Sequence, residues 1–153
     1  MGKKDATDAE LLAVLKKVNL YDFVMSEGGL DFMLLENASN LSGGQAQRLA
    51  LARSLVHDAK LYIFDEATSN IDSESEAIIY EVIKELAKTK TVILISHRLA
   101  NVTECDEIFV LEKGVLVEHG THSELLAQDN VYTNLFMSQK NLEDIFMGGE
   151  MYA

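Results

Sequence analysis

The sequence predicts an α/β fold, in which a helical part is followed by a mostly parallel sheet with flanking helices. Residues 1–57 carry helix-forming patterns and loops only. Two apolar runs follow, Leu61–Phe64 and Thr91–Ile95, and an amphipathic segment lies between them. Strand, helix and strand in this order predict two parallel strands with a right-handed connection. We therefore expect a helical subdomain over residues 1–57 and an α/β part over residues 58–153.

Three helices are expected in the helical subdomain. Thr7-Asp8-Ala9-Glu10 has the pattern of a capping box, which predicts a helix over residues 8–19. A short second helix is expected over residues 21–26. Asn40 and Ser42 can cap a third helix that runs to about residue 56.

The α/β part is expected to contain further caps and one hairpin. Leu61–Phe64 is uniformly apolar, which is typical of a strand covered on both faces. Ser73-x-x-Glu76 predicts the start of the helix between the strands. Gly114 can supply the positive φ of a hairpin turn between residues 107–111 and 115–118. The last two helices are expected after Thr121-x-x-Glu124 and over residues 132–136, whereas the tail over 137–153 shows no clear period.

Composition restricts the class of protein. The 153 residues fit one domain, or a lobe with part of another, and carry a net charge of −12. That acidic balance argues against a nucleic-acid partner. The single cysteine, Cys105, excludes an internal disulfide. No apolar run reaches the roughly 18 residues that a membrane-spanning helix needs.

Asp65 and Glu66 are the first candidates for chemistry. They follow a predicted buried strand, at the end where open α/β sheets bind ligands. Asp65 is suited to bind Mg²⁺, which takes one or two carboxylates together with substrate phosphates as ligands. Glu66 suits a general base that polarises an attacking water. The alternative is a solvated acidic strand end.

His97 follows the second predicted strand through Ser96. If the two strands are neighbours and parallel, His97 lies beside Asp65 and Glu66. A histidine there can donate a hydrogen bond to a terminal phosphate or orient a water. The alternative is a structural histidine.

Ser42-Gly43-Gly44-Gln45 stands at the start of the third predicted helix. The unpaired N–H groups and the helix dipole favour an anion at such a position. The glycines allow close approach of backbone to phosphate, and the serine hydroxyl adds a donor. Taken alone, the segment is more often a simple helix cap.

The order of these segments is more specific than any one of them. The chain carries, in sequence, Leu41-Ser42-Gly43-Gly44-Gln45, Gln47-Arg48, Ala50-Leu51-Ala52-Arg53, the Asp65-Glu66 strand, Ser69-Asn70-Ile71-Asp72 and Ser96-His97-Arg98-Leu99. This series closely resembles the signature motif, Walker B strand, D-loop and H-loop of ABC transporter nucleotide-binding domains. The resemblance runs from about residue 7 to residue 136 and implies a partial P-loop NTPase (ABC ATPase) fold.

The resemblance also implies roles for individual residues. ATP and Mg²⁺ would be the cofactors, with Asp65 serving Mg²⁺, Glu66 acting as the base and His97 contacting the γ-phosphate. The signature residues would contact the ATP of the opposite protomer, and Asp72 would lie at the dimer seam. The signature residues are Ser42, Gly43, Gly44 and Gln45. The partners would be a second nucleotide-binding domain and a membrane-spanning transporter domain. The chain would lie at the cytoplasmic side of the membrane.

Two segments are similar to exporter-type domains in particular. These are Ala67-Thr68-Ser69 after the Walker B acids and the segment from Glu118 to Leu125. Small departures from the family pattern are Ala46, where arginine is common, and Asn70-Ile71, where Ala-Leu is more usual.

The phosphate-wrapping loop is the large departure. None of the nine glycines belongs to a Gly-x4-Gly-Lys-Ser/Thr segment, and no Q-loop strand precedes the helical part. We therefore expect the chain to represent the second half of such a domain and to be inactive alone. Two alternatives stay open: a non-enzymatic module that presents its signature to a partner ATPase, and a relative of chromosome-maintenance or DNA-repair ATPases.

Overall fold

The computed structural model describes residue 3 and residues 5–68 and 71–149, with side chains described as far as residue 142. Ser69 and Asn70 of the predicted D-loop lie outside the described residues, as does the end of the tail after residue 149. The chain forms two compact units, Met1–Ile95 and Ser96–Ala153.

The first unit begins with three helices, of which the first and third are capped at Thr7 and Ser42 as the sequence predicted. They are α1 (Asp8–Lys17), α2 (Tyr21–Ser26) and α3 (Gly43–Leu55). Two short 3₁₀ turns, Gly29–Asp31 and Glu36–Ala38, lie between α2 and α3. Arg48 on α3 donates from Nη1 to the carbonyl of Asn19 at 2.9 Å, which fixes α3 against the end of α1.

The second part of this unit is the predicted strand–helix–strand arrangement. It consists of β1 (Leu61–Asp65), α4 (Ser73–Ala87) and β2 (Thr91–Ile95). The strands are parallel, in a register that runs from Leu61 opposite Thr91 to Asp65 opposite Ile95. α4 begins at Ser73, as predicted, and Asp72 is its N-cap, whose side chain accepts from the backbone N–H of Ser75.

One face of the β1–β2 sheet is covered and the other is not. Tyr62 and Phe64 are buried in a core shared with α1–α4. Ile63 and Ile93 point the other way and are 61% and 47% exposed. The prediction of a strand covered on both faces was therefore wrong for the described residues, because the helices of this unit pack on one side of the sheet.

The second unit contains the predicted hairpin and two helices. β3 (Ile108–Glu112) and β4 (Val115–Gly120) pair in antiparallel fashion, with α5 (His122–Gln128) and α6 (Val131–Gly149) after them. Lys113 and Gly114 both have positive φ, +51° and +80°, as the two central residues of a type I′ turn require. A 3₁₀ turn, Leu99–Val102, precedes β3.

α6 is much longer than the predicted helix over residues 132–136. It continues to Gly149, so most of the tail that had no clear period is helical. No helix within the described ranges is long and apolar enough to cross a membrane. The predicted division near residue 57 falls between α3 and β1 and stays a prediction about domain organisation.

Candidate functional site

The two candidate carboxylates lie where β1 ends. Asp65 is the last residue of β1 and pairs with Ile95 on the parallel neighbour. Glu66 donates its backbone N–H to the Ile95 carbonyl at 3.0 Å and then turns away from the strand, with φ +46°. Non-glycine residues seldom adopt this left-handed conformation outside tight turns and functional sites. The chain therefore leaves the sheet sharply at Glu66, and both side chains are exposed there.

This strand end fits the donor set of a magnesium site shared with a substrate. In the part of the chain that the structure describes, no group of three or more His, Cys, Asp or Glu side chains could hold a metal without other ligands. Mg²⁺ commonly takes one or two protein carboxylates and completes its shell with water and phosphate oxygens. The exposed carboxylate of Asp65 suits that arrangement, because it leaves the other positions open.

The signature segment forms a reciprocal cap at the start of α3. Gln45 donates its N–H to Ser42 Oγ at 3.2 Å, and Ser42 donates its N–H to Gln45 Oε1 at 2.8 Å. The first bond along the helix runs from Ala46 N to the Ser42 carbonyl, so the N–H groups of Gly43 and Gly44 precede the ladder. The cap fixes a helix start at which two backbone donors and the Ser42 hydroxyl are available for an anion.

Gly44 has a second role that the sequence did not indicate. It is buried, and a Cβ added to it would meet Ser75 Oγ and would lie 2.7 Å from Ser75 Cβ and 2.5 Å from Asp72 Oδ2. Distances of this size leave no room for a side chain. Gly44 therefore allows the starts of α3 and α4 to pack directly on each other.

Asp72 is fixed at this contact. Its Oδ1 accepts from the Ser75 N–H at 2.8 Å, and Ser75 is only 2% exposed. Hydrogen bonds from the Ser75 backbone and then from its side chain hold the pKa of Asp72 below its ordinary value of 3.8. The carboxylate predicted for the dimer seam thus serves in its own chain as the cap of α4.

His97 lies in a short loop of the second unit whose backbone is held on both sides. Ser96 Oγ accepts from Arg98 N at 3.0 Å and donates to the Arg98 carbonyl at 3.1 Å. The side-chain amide of Gln139, on α6, bonds to the His97 carbonyl and to Leu99 N. The predicted proximity of His97 to Asp65 stays a prediction.

Sequence reasoning missed Ser75 and Gln139. Ser75 stands three residues after Asp72, which is the spacing of an Asp N-cap and its N3 residue, so a local signal for that pair existed. No local signal pointed to Gln139, because its partner His97 lies 42 residues earlier.

Comparisons with known proteins show which family the chain resembles. The ABC transporter family model matches residues 3–69. The chain is 56% identical over 145 residues to an uncharacterized ABC transporter ATP-binding protein of Haemophilus influenzae, covering 95% of this chain and 26% of that protein. It is 42% identical over 136 residues to an ATP-dependent lipid A-core flippase of Francisella tularensis, covering 88% of this chain and 22% of the flippase.

Structural similarity points the same way. The structure of a bacterial Atm1-family ABC exporter with ATP bound matches with a TM-score of 0.83 and 36% identity, over 91% of this chain and 25% of the exporter. The fold is that of part of an ABC transporter ATP-binding domain, and the chain belongs to the ABC transporter family. Within that family it matches exporter-type domains, and it spans about a quarter of the length of these relatives.

Proposed function

We propose that this chain is part of the ATP-binding and ATP-hydrolysing domain of an ABC exporter that moves a substrate across a membrane. The observation that carries the proposal is the turn at Glu66. It presents two carboxylates at the end of a parallel strand, in a chain that also carries a capped signature helix. A putative multidrug export ATP-binding/permease protein of Staphylococcus aureus, 43% identical over 140 residues, supports an export function.

The carboxylates are assigned separate tasks. Bound Mg²⁺ would neutralise developing charge on the phosphates, and Asp65 would hold it. Glu66 would accept a proton from the attacking water, since its position one residue beyond Asp65 keeps it near the same phosphate. His97 would donate a hydrogen bond to the terminal phosphate.

The signature residues are assigned to a different nucleotide. Ser42, Gly43, Gly44 and Gln45 would bind the γ-phosphate of ATP held by a second nucleotide-binding domain, through backbone N–H groups and the Ser42 hydroxyl. Asp72, which contacts Gly44, would lie at the seam between the two domains. A membrane-spanning domain would be the other partner, and this chain would lie at the cytoplasmic side of the membrane.

The experiment supplies the element that these 153 residues lack, a Gly-x4-Gly-Lys-Ser/Thr loop. The chain is mixed with, or fused to, a P-loop-bearing segment of the Haemophilus relative; we refer to this assembly as the complemented ATPase. We expect Mg²⁺-dependent ATP hydrolysis that Glu66→Gln lowers by about a hundredfold or more, the scale of general-base catalysis. Glu76→Gln, an acidic residue of the same unit placed inside α4, is the matched control.

A non-enzymatic role is the alternative. The complete capped signature at α3 could act on a partner's ATP without any hydrolysis at Glu66. In that case the complemented ATPase would form a stable complex but show no hydrolysis, or hydrolysis insensitive to Glu66→Gln. Salt-sensitive DNA binding would instead favour the DNA-repair relatives.

A further inference from the structure

The side chain of Gln139, on α6, forms two hydrogen bonds to the loop that carries His97. Gln139 Nε2 donates to the His97 carbonyl at 2.5 Å, and Leu99 N donates to Gln139 Oε1 at 2.7 Å. One amide thus satisfies a backbone acceptor and a backbone donor two residues apart. The carboxamide suits this arrangement because it carries a donor and an acceptor on separate atoms of one side-chain terminus.

Gln139 can act as a clamp because α6 is itself anchored. Glu118, 9% exposed, accepts from the backbone N–H groups of Val131 and Tyr132, both at 2.9 Å. Tyr132 is 1% exposed, and its hydroxyl lies 2.7 Å from His122 Nδ1. Gln139 follows Tyr132 by two helical turns and therefore lies on the same face of α6. The helix provides a fixed platform from which the amide reaches the loop.

The loop also carries a local restraint. Ser96 Oγ binds both backbone groups of Arg98, and this fixes the turn locally. That local turn does not attach His97 to the body of the unit. The two bonds from Gln139 do so, and they act on the residue that carries the imidazole and on the residue two positions later.

We propose that Gln139 is a positioning residue for His97: it orients the imidazole through the backbone and makes no contact with the nucleotide. This inference rests on the proposed function. A misplacement of about 1 Å in a catalytic group can cost about a hundredfold in rate. Gln139→Ala should therefore lower kcat of the complemented ATPase by about tenfold to a hundredfold, with KM for ATP nearly unchanged.

Substitution by glutamate separates the two bonds. Gln139→Glu keeps the acceptor for Leu99 N but, when ionised, places a carboxylate against the His97 carbonyl. Protonation restores a donor, so the activity of this variant relative to the unsubstituted enzyme should rise as the pH is lowered from 8 towards 5.5. Gln139→Ala should show no such rise. Asn141→Ala removes an exposed amide from the same helix and is the matched control, with activity unchanged.

A double substitution tests whether Gln139 acts through His97. In a His97→Ala background, Gln139→Ala should cause no further loss of kcat, because the group that it positions is gone. An equal further loss in that background would overturn the inference. So would a loss in Asn141→Ala as large as in Gln139→Ala, or an active enzyme indifferent to Gln139→Ala. An inactive unsubstituted enzyme would instead overturn the proposed function, and this inference with it.

A measurement on the chain without nucleotide tests the clamp itself. Amide hydrogen exchange at Leu99 should be at least about tenfold faster in Gln139→Ala, since its N–H loses its partner. Exchange at Ala46, whose N–H bonds to Ser42 in the other unit, should be unchanged. Unchanged exchange at Leu99 would overturn the inference whatever the ATPase assay gives.

Discussion

Gly44 packs on Ser75 so closely that no side chain fits between them: a Cβ at position 44 would lie 2.7 Å from Ser75 Cβ. This contact joins the signature helix to the residue that caps α4, because Asp72 bonds to the same serine. The start of α3 and the cap of α4 therefore form one packed unit. A displacement of either helix start must displace the other, because the side chains and backbone at this contact are closely packed.

Gly44→Ala should destabilise the first unit. The added methyl overlaps Ser75 and Asp72, and overpacking of this kind costs about 1–3 kcal/mol. Urea denaturation of the chain, followed by circular dichroism, measures the free energy of unfolding. Gly43→Ala is the control, because Gly43 is the exposed neighbour in the same helical turn and alanine favours the helix.

A second variant shows that the cause is steric. Ser75→Gly removes both serine atoms that the methyl meets, so the double variant Gly44→Ala, Ser75→Gly should cost less than the sum of its two single variants. Additive costs, or a Gly44→Ala variant as stable as the unsubstituted chain, would contradict the contact.

Asp72 should give the chain part of its pH dependence. Its pKa in the folded state is lower than its ordinary value because Ser75 bonds to the carboxylate. The stabilisation is fully present above the unfolded pKa of about 4 and is lost as the pH falls through the lower folded pKa. In Asp72→Asn the free energy of unfolding should therefore differ most from the unsubstituted chain at neutral pH, and the difference should shrink below about pH 4.

Asparagine suits this test because it caps helices almost as well as aspartate while carrying no charge. Asp22→Asn, an exposed carboxylate in the first turn of α2, controls for the loss of one negative charge. A pH-independent difference between the Asp72→Asn variant and the unsubstituted chain would contradict the assignment. Glu10, with its pKa lowered to about 2 by Lys3 and then by Thr7, contributes acid sensitivity in the same direction in every variant.

The features that the sequence predicted well are those encoded within a few residues. The capping boxes predicted at Thr7 and Thr121 each depend on a partner three residues away, and both form. Ser42, which was expected only as a possible cap, forms a third. The parallel pairing of β1 with β2 followed from one local unit. Two contacts join residues that are distant in sequence, and no local pattern predicts them. These are the contacts of Gly44 with Ser75 and of His97 with Gln139.

One prediction about an element failed, and another element was longer than the sequence indicated. The apolar run of β1 indicated burial on both faces, but periodicity cannot tell which elements will cover a strand. The tail after residue 136 lacked clear period because its apolar and acidic residues alternate irregularly, and yet it continues α6. The site roles assigned to Asp65, Glu66 and His97 stay predictions.

The chain alone should bind MgATP weakly. Its described donors are one strand end and one helix start, and the 153 residues contain no loop that wraps the phosphates. Isothermal titration calorimetry should give a Kd weaker than about 1 mM, which corresponds to about −4 kcal/mol. Micromolar binding by the chain without a partner would contradict this prediction and would show that other groups of the chain hold the phosphate.

The uncovered sheet face should make the chain associate with itself. Ile63, 61% exposed, lies opposite Ile93 in the register of the sheet, and contiguous apolar surface of this kind favours association. Ile63→Thr should weaken self-association by about tenfold, because burying an isoleucine contributes about 1.5–3 kcal/mol. Sedimentation velocity measures it, with Leu142→Gln on α6 as the control. A monodisperse monomer for the unsubstituted chain would be contrary to expectation.

Ser42 and Glu66 of one chain are proposed to serve two different nucleotides. The direct test uses two variants of the complemented ATPase, Ser42→Arg and Glu66→Gln, each nearly inactive when assayed separately. If the residues act on different nucleotides, an equimolar mixture contains dimers with one intact site, formed by Glu66 of one protomer and Ser42 of the other. We expect ATP hydrolysis to reappear in the mixture, at roughly a quarter of the unsubstituted rate if pairing is random and each site acts independently. A mixture that stays as inactive as its components, with dimers present, would contradict the claim.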